Sequence, residues 1–156
     1  MLVRPKRESY STFDHYDTGD GTGEHPTQAL LDLYTIYRAL GSSWTALNGK
    51  IITMVGDLKH GRTVHSLAKL LQLCDAIQLN YVSPAALSMP TEIQENIVGL
   101  QQHTTTDLSS VWSKSDVVYV TRMQKERFVS ETEYEQVKDS FQITTEWMQT
   151  VIILNV

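Results

Sequence analysis

Three short polar clusters carry the residue types from which a small-molecule site can be built. Gly56-Asp57-Leu58-Lys59-His60-Gly61-Arg62-Thr63-Val64-His65-Ser66 has two glycines for a tight turn, a lysine, and an arginine opening a helical pattern. Thr121-Arg122-Met123-Gln124-Lys125-Glu126-Arg127-Phe128 is the second cluster. Arginine grips carboxylates well, because its planar fork makes two parallel charge-assisted hydrogen bonds. Two arginines on neighbouring loops could therefore hold a small dicarboxylate, although surface ion pairing is the plain alternative for such residues. The third cluster is Gly19-Asp20-Gly21-Thr22-Gly23-Glu24-His25-Pro26-Thr27-Gln28. His25 and Gln28 share a face at a helix start, where a neutral imidazole and an amide can donate to a carbonyl oxygen, as acyl transfer requires. Capping or packing is the simpler role for such a histidine. The alternating glycines do not make a dinucleotide fingerprint, since the residues before them are polar and that motif needs a preceding apolar strand. The histidines show no metal-ligand spacing.

The elements around these clusters follow from hydrophobic periodicity. Pro26 suits a first helical turn, and Ala29, Leu30, Leu33, Ile36, Tyr37 and Leu40 recur at helical spacing until Gly41-Ser42-Ser43. Ile51 to Val55 is a continuous apolar run, as a buried parallel strand requires. A helix is expected over Thr63 to Leu73, a second strand over Ala76 to Val82, a helix over Pro90 to Leu100, and a third strand over Asp116 to Val120. This alternation predicts an α/β fold, an open and mostly parallel sheet flanked by helices on both faces. Ligands bind beyond the carboxyl ends of such strands, which singles out residues 57–62 and 121–127.

Composition narrows the class. The chain has 156 residues, 41% hydrophobic and 20% charged, enough for one domain with a real core. A net charge of -5 argues against a nucleic-acid surface, and the basic run Arg4 to Arg7 reads as solvated. One cysteine, Cys74, within an apolar stretch, allows no internal disulfide and fits packing in a reducing, cytoplasmic compartment. No apolar run approaches the roughly 20 residues of a membrane span, and no signal-peptide pattern is seen, so no membrane role is expected.

Taken together, His25-Pro26-Thr27-Gln28-Ala29-Leu30-Leu31-Asp32, Val55 to Leu67 and Thr121 to Phe128 closely resemble the aspartate carbamoyltransferase family, in order and at family-like separations. The match runs from about Gly19 to about Glu146. The first motif also occurs in the sister ornithine carbamoyltransferases; the other two are specific to the aspartate enzymes. The wording of the middle stretch looks most like the versions in eukaryotic multifunctional pyrimidine proteins. The resemblance implies transfer of the carbamoyl group of carbamoyl phosphate to the amine of L-aspartate, an early step of pyrimidine synthesis, with no metal or organic cofactor. It implies that His25 and Gln28 contact the carbamoyl group, and that Arg62, Arg122 and Gln124 hold the aspartate carboxylates. Lys59 and Arg127 are expected to act behind these or in domain closure. A homotrimer with shared sites is implied, with possible fusion to carbamoyl-phosphate synthetase and dihydroorotase.

On this pattern residues 1–18 are unmatched, 19–47 are the last piece of a carbamoyl-phosphate domain, 48–146 form a Rossmann-like aspartate-binding domain, and 147–156 are a divergent tail. The family's Ser-Thr-Arg-Thr-Arg phosphate loop and its later His-Pro-x-Pro-Arg segment have no counterpart here. The chain is therefore expected to be a truncated piece, turning over little alone and exposing Leu30, Leu33 and Ile36. An ornithine-type enzyme, and a non-catalytic chain that joins intact catalytic subunits, are the competing expectations.

Overall fold

The computed structural model describes residues 24–122, 128, 132, 134, 135, 143 and 151–155. Helix α1 spans Pro26–Ala39, with Pro26 in its first turn and His25 as N-cap. It ends where Gly41 and Ser42 take positive φ angles of 95° and 59°. There Gly41 N–H donates to Arg38 O and Ser42 N–H to Tyr37 O, satisfying the last helical carbonyls. Strand β1 (Ile51–Val55) follows, then α2 (Arg62–Leu70), β2 (Gln78–Val82), α3 (Thr91–Asn96), β3 (Gln101–Thr105), α4 (Ser109–Trp112), β4 (Val117–Val120) and β5 (Ile152–Asn155).

All pairings are parallel, in the order β3-β2-β1-β4-β5. The expected open α/β sheet is present, with two further strands at its edges. β1 is central, which is why it is apolar on both faces. Ile52, Met54, Leu79, Tyr81, Val117 and Tyr119 point into one core with α1 and α2. Val55, Val82 and Val118 point the other way, against Leu108, Val111 and Trp112 around α4. The alternation along each strand thus separates two apolar layers. Each fully buried large apolar side chain contributes roughly 1.5–3 kcal/mol, so the larger first layer anchors α1 and α2 to the sheet.

Several expectations are revised. The helix read as Thr63 to Leu73 starts at Arg62 and tightens into a 3-10 turn at Leu71–Leu73. The helix read as Pro90 to Leu100 covers only Thr91–Asn96. The strand at 117–120 is the fourth, because β3 precedes it. Residues 152–155, within the segment set aside as a divergent tail, pair with β4 as β5. On α1, Leu33 and Ile36 are buried and only Leu30 of the three is exposed, together with Leu31 and Tyr34. Among the described residues, no helix is long and apolar enough to cross a membrane.

Candidate functional site

The chain leaves β1 for β2 on one side and later returns to place β4 on the other. The carboxyl ends of β1 and β4 therefore flank the point where strand order reverses, the usual ligand crevice of such sheets. Here the two exits touch. Gly56 has φ 116°, and a Cβ on it would lie 2.4 Å from the Thr121 carbonyl oxygen. Thr121 N–H donates to Val55 O at 2.8 Å, and Thr121 Oγ1 donates to the same oxygen at 3.2 Å. Glycine is required at this position by both the backbone angle and the contact.

The loop from β1 to α2 is held on every side. Asp57 is 1% exposed. It accepts from His60 N–H at 3.0 Å and lies 3.0 Å from His60 Nδ1. Leu58 N–H donates to Leu87 O at 3.1 Å, and His65 Nε2 reaches back to Leu58 O at 2.7 Å. Burial pushes the His65 imidazole below its ordinary range, outweighing the upward pull of that hydrogen bond and of Glu24. The neutral ring then donates from Nε2. This frame sets Arg62 at the first position of α2, half-buried. Its Nη1 is buried with no hydrogen-bond partner among the described residues. A buried guanidinium nitrogen without an acceptor is rare and costly, so its position suits an anionic ligand.

The cluster that holds His25 and Gln28 docks on the same frame. His25 N–H donates to Ser66 Oγ at 2.8 Å, one turn along α2 from Arg62. Ser66 Oγ in turn donates to the Glu24 carboxylate at 2.5 Å, which also takes a hydrogen bond from Lys69. Burial alone would raise the Glu24 carboxyl, but the bonds from Lys69 and Ser66 outweigh it and hold it below its usual value. The His25 ring caps α1, its Nδ1 lying 3.4 Å from Gln28 N and 3.3 Å from Thr27 Oγ1. Acceptance at Nδ1 leaves Nε2 to carry the proton and to donate. The Gln28 amide nitrogen donates to Asp32 Oδ1 at 2.8 Å. Its Oε1 thus remains as an acceptor, where the sequence suggested a donor.

The cluster Thr121 to Phe128 is present in part. Thr121 is buried beside Gly56, Arg122 is exposed, and Phe128 lies edge-on to His60 with ring centroids 6.3 Å apart. Gln124 and Arg127 lie outside the described residues. Lys59 is exposed on the loop. The other two clusters are therefore both tied to the Gly56–Ser66 cluster, one through His25 to Ser66 and the other through Gly56 to Thr121 and His60 to Phe128. Three residues that sequence reasoning assigned no role take part in such contacts: Ser66 holds His25, and Asp32 bonds to Gln28 and to Tyr119 on β4. Asp32 had a signal, since a carboxylate sits on the apolar stripe Ala29, Leu33, Ile36 of α1. Among the described residues no three His, Cys, Asp or Glu side chains converge as metal ligands would. A hollow of about 310 Å³ lined by Trp44, Leu73 and Cys74 lies among the segments that lead into β1 and β2, at the amino ends of these strands.

Residues 48–155 match the family model of the aspartate/ornithine carbamoyltransferase Asp/Orn binding domain. The chain is 57% identical over 130 residues to the multifunctional protein pyr1-3 of Dictyostelium discoideum, covering 82% of this chain and 6% of that protein. It is 50% identical over 129 residues to the aspartate carbamoyltransferase catalytic subunit of Thermococcus gammatolerans, covering 81% of this chain and 40% of that one. The fold superposes on the catalytic subunit of M. jannaschii aspartate transcarbamoylase with TM-score 0.78 and 43% identity, over 88% of this chain and 45% of that chain. It also superposes on the Trypanosoma cruzi enzyme in complex with aspartate and phosphate, with TM-score 0.71, 42% identity and coverage of 88% and 44%. The chain thus spans about two fifths of the length of the single-function catalytic subunits it matches.

Proposed function

Since this chain belongs to the aspartate/ornithine carbamoyltransferase family, we propose that its three clusters form part of a site transferring the carbamoyl group of carbamoyl phosphate to L-aspartate, in pyrimidine synthesis. The products are N-carbamoyl-L-aspartate and phosphate. The observation that carries this reading is the Nη1 of Arg62 at the switch point of the sheet, buried and without a hydrogen-bond partner among the described residues. In this reading Arg62, with Arg122 and Gln124, grips the aspartate carboxylates and aims the amine. His25 Nε2 donates to the carbamoyl oxygen, where charge builds as the amine attacks. Gln28 Oε1 accepts from the carbamoyl nitrogen. The amine gives up a proton, the C–O bond to phosphate breaks, and phosphate departs. Catalysis of this kind rests on positioning and on dipoles aimed at the developing oxyanion. Lys59 and Arg127 act in closing the site.

Residues 19–47 are read as the end of a carbamoyl-phosphate half, and the aspartate half begins at 48, where the family match also begins. The site is completed in a cytoplasmic homotrimer, and the similarity to multifunctional proteins supports a place within a longer polypeptide.

Aspartate binding by the 156-residue chain is the direct test. Isothermal titration should show L-aspartate binding weakened at least about tenfold by Arg62→Ala, the loss of one charge-assisted bond of roughly 1.5–3 kcal/mol. L-Ornithine should not bind. Equal aspartate affinity in the two proteins, or a preference for ornithine, would overturn the assignment.

A further inference from the structure

We propose that Asp32 is a positioning residue that fixes the amide orientation of Gln28 and is itself set by Tyr119 on β4. The inference rests on the carbamoyl-binding reading of Gln28 and deepens it.

Asp32 is 4% exposed, on the apolar face of α1 among Ala29, Leu33 and Ile36. A carboxyl group there is costly unless both oxygens find donors. Both do: Oδ1 accepts from Gln28 Nε2 at 2.8 Å and Oδ2 accepts from Tyr119 OH at 2.7 Å. Tyr119 is fully buried in the sheet and lies two residues before Thr121, the residue that touches Gly56. A relay of two hydrogen bonds therefore runs from the rigid strand beside the switch point to the amide of Gln28. An apolar side chain at 32 would pack this helix face without any desolvation cost, so packing does not account for the acid. Amide orientation does. With Oδ1 as its acceptor among the described residues, Gln28 offers its nitrogen to Asp32, and Oε1 is left to face away from the acid. Without the acid, the amide can rotate by half a turn and present a donor where the carbamoyl nitrogen needs an acceptor.

Side-chain amide NMR on the full chain separates positioning from simple anchoring. The Gln28 NH2 pair is identified as the one missing in Gln28→Leu. In the parent chain it should give one set of signals, with the bonded proton protected from exchange. Asp32→Asn admits both amide orientations, so exchange should quicken at least tenfold or a second set appear. Tyr119→Phe removes only the hydroxyl and should produce the same change to a smaller degree, with the fold intact. Carbamoyl phosphate at millimolar concentration should shift the Gln28 signals in the parent chain and do so at least tenfold more weakly in Asp32→Asn, whereas the response to inorganic phosphate should stay equal. Unchanged Gln28 signals in both variants would overturn the inference, as would equal loss of both ligands, which marks an anchor only. A parent chain that ignores carbamoyl phosphate while Asp32→Asn still loosens the amide would sink the carbamoyl reading and leave the Asp32 assignment standing.

Discussion

The loop from Gly56 to Arg62 and the start of α1 from Glu24 to Gln28 both hold residues of the proposed site, yet they are held differently. The loop is locked largely by backbone. Gly56 N–H bonds to Val82 O, Leu58 N–H to Leu87 O, and Gly56 meets the Thr121 carbonyl with no room for a side chain. The start of α1 is held by side chains, through Ser66 to Glu24 and His25, Lys69 to Glu24, and Asp32 to Tyr119. Backbone close approach cannot be loosened without moving a strand. A side-chain link can be broken for about 1–3 kcal/mol, the upper end applying where a carboxylate accepts. The arginine that would receive the nucleophilic substrate is thus preorganised by the sheet. The groups that would face the carbamoyl donor lean on that sheet through replaceable contacts.

The sharpest test of this contrast is Gly56→Ala. A Cβ at φ 116° would sit 2.4 Å from Thr121 O and 2.7 Å from Thr121 Oγ1. Backbone strain of about 1–3 kcal/mol and an overpacking cost of about 1–3 kcal/mol should together remove about 2–6 kcal/mol of stability. The control is Gly49→Ala, at φ 72° with nothing within 4 Å, where strain acts alone. Urea unfolding should separate the two midpoints widely. Coincident midpoints would mean that the β1 and β4 exits are not pressed together. Next in size is Ser66→Ala, which removes a donor to Glu24 and an acceptor for His25 N–H. A loss of about 1–2 kcal/mol is expected. Amide exchange should speed up at the start of α1 and hold steady across 56–62. Equal acceleration in both regions would erase the distinction between them.

How far the sequence revealed these regions depended on which physical force shaped each one. β1 was legible because a central parallel strand must be apolar on both faces, as Ile51 to Val55 is. β3 was not, because Gln101-Gln102-His103-Thr104-Thr105 is an edge strand whose residues are largely solvated, so it carries no hydrophobic period. β5 has its signal in the apolar run Val151-Ile152-Ile153-Leu154, but the family resemblance ends near Glu146 and assigns that run to no element. In the site, the spacing of glycines and arginines located the loop, and strand order placed it at the switch point. The links through Ser66 and Tyr119 join residues 41 and 87 apart in sequence, and no local pattern announces such pairs. Asp32 was the exception, being an acid on an apolar stripe.

The smallest expected effect probes the loop rather than the helix, and it depends on pH. His65 is half-buried, and its Nε2 donates to Leu58 O, closing the base of the loop. Burial lowers its folded-state pKa below the ordinary 6.5. The sign follows from which state takes the proton first. Above 6.5 neither state is protonated, so the contribution is fully present. As pH falls through 6.5 toward the folded value, the unfolded chain gains the proton earlier, and stability declines. The slope attributable to one such group cannot exceed about 1.4 kcal/mol per pH unit. The Glu24 carboxyl, also depressed, adds its own loss only below its ordinary 4.5. Unfolding free energies at pH 7, 6 and 5 therefore isolate the histidine. His65→Gln keeps a nitrogen donor near the Nε2 position and cannot titrate, so it should flatten the decline across this range while leaving the value at pH 7 within about 1 kcal/mol, the worth of a typical hydrogen bond. A variant that keeps the parent's slope would show that His65 is not buried against Leu58, and that the loop is less firmly closed than its backbone contacts imply.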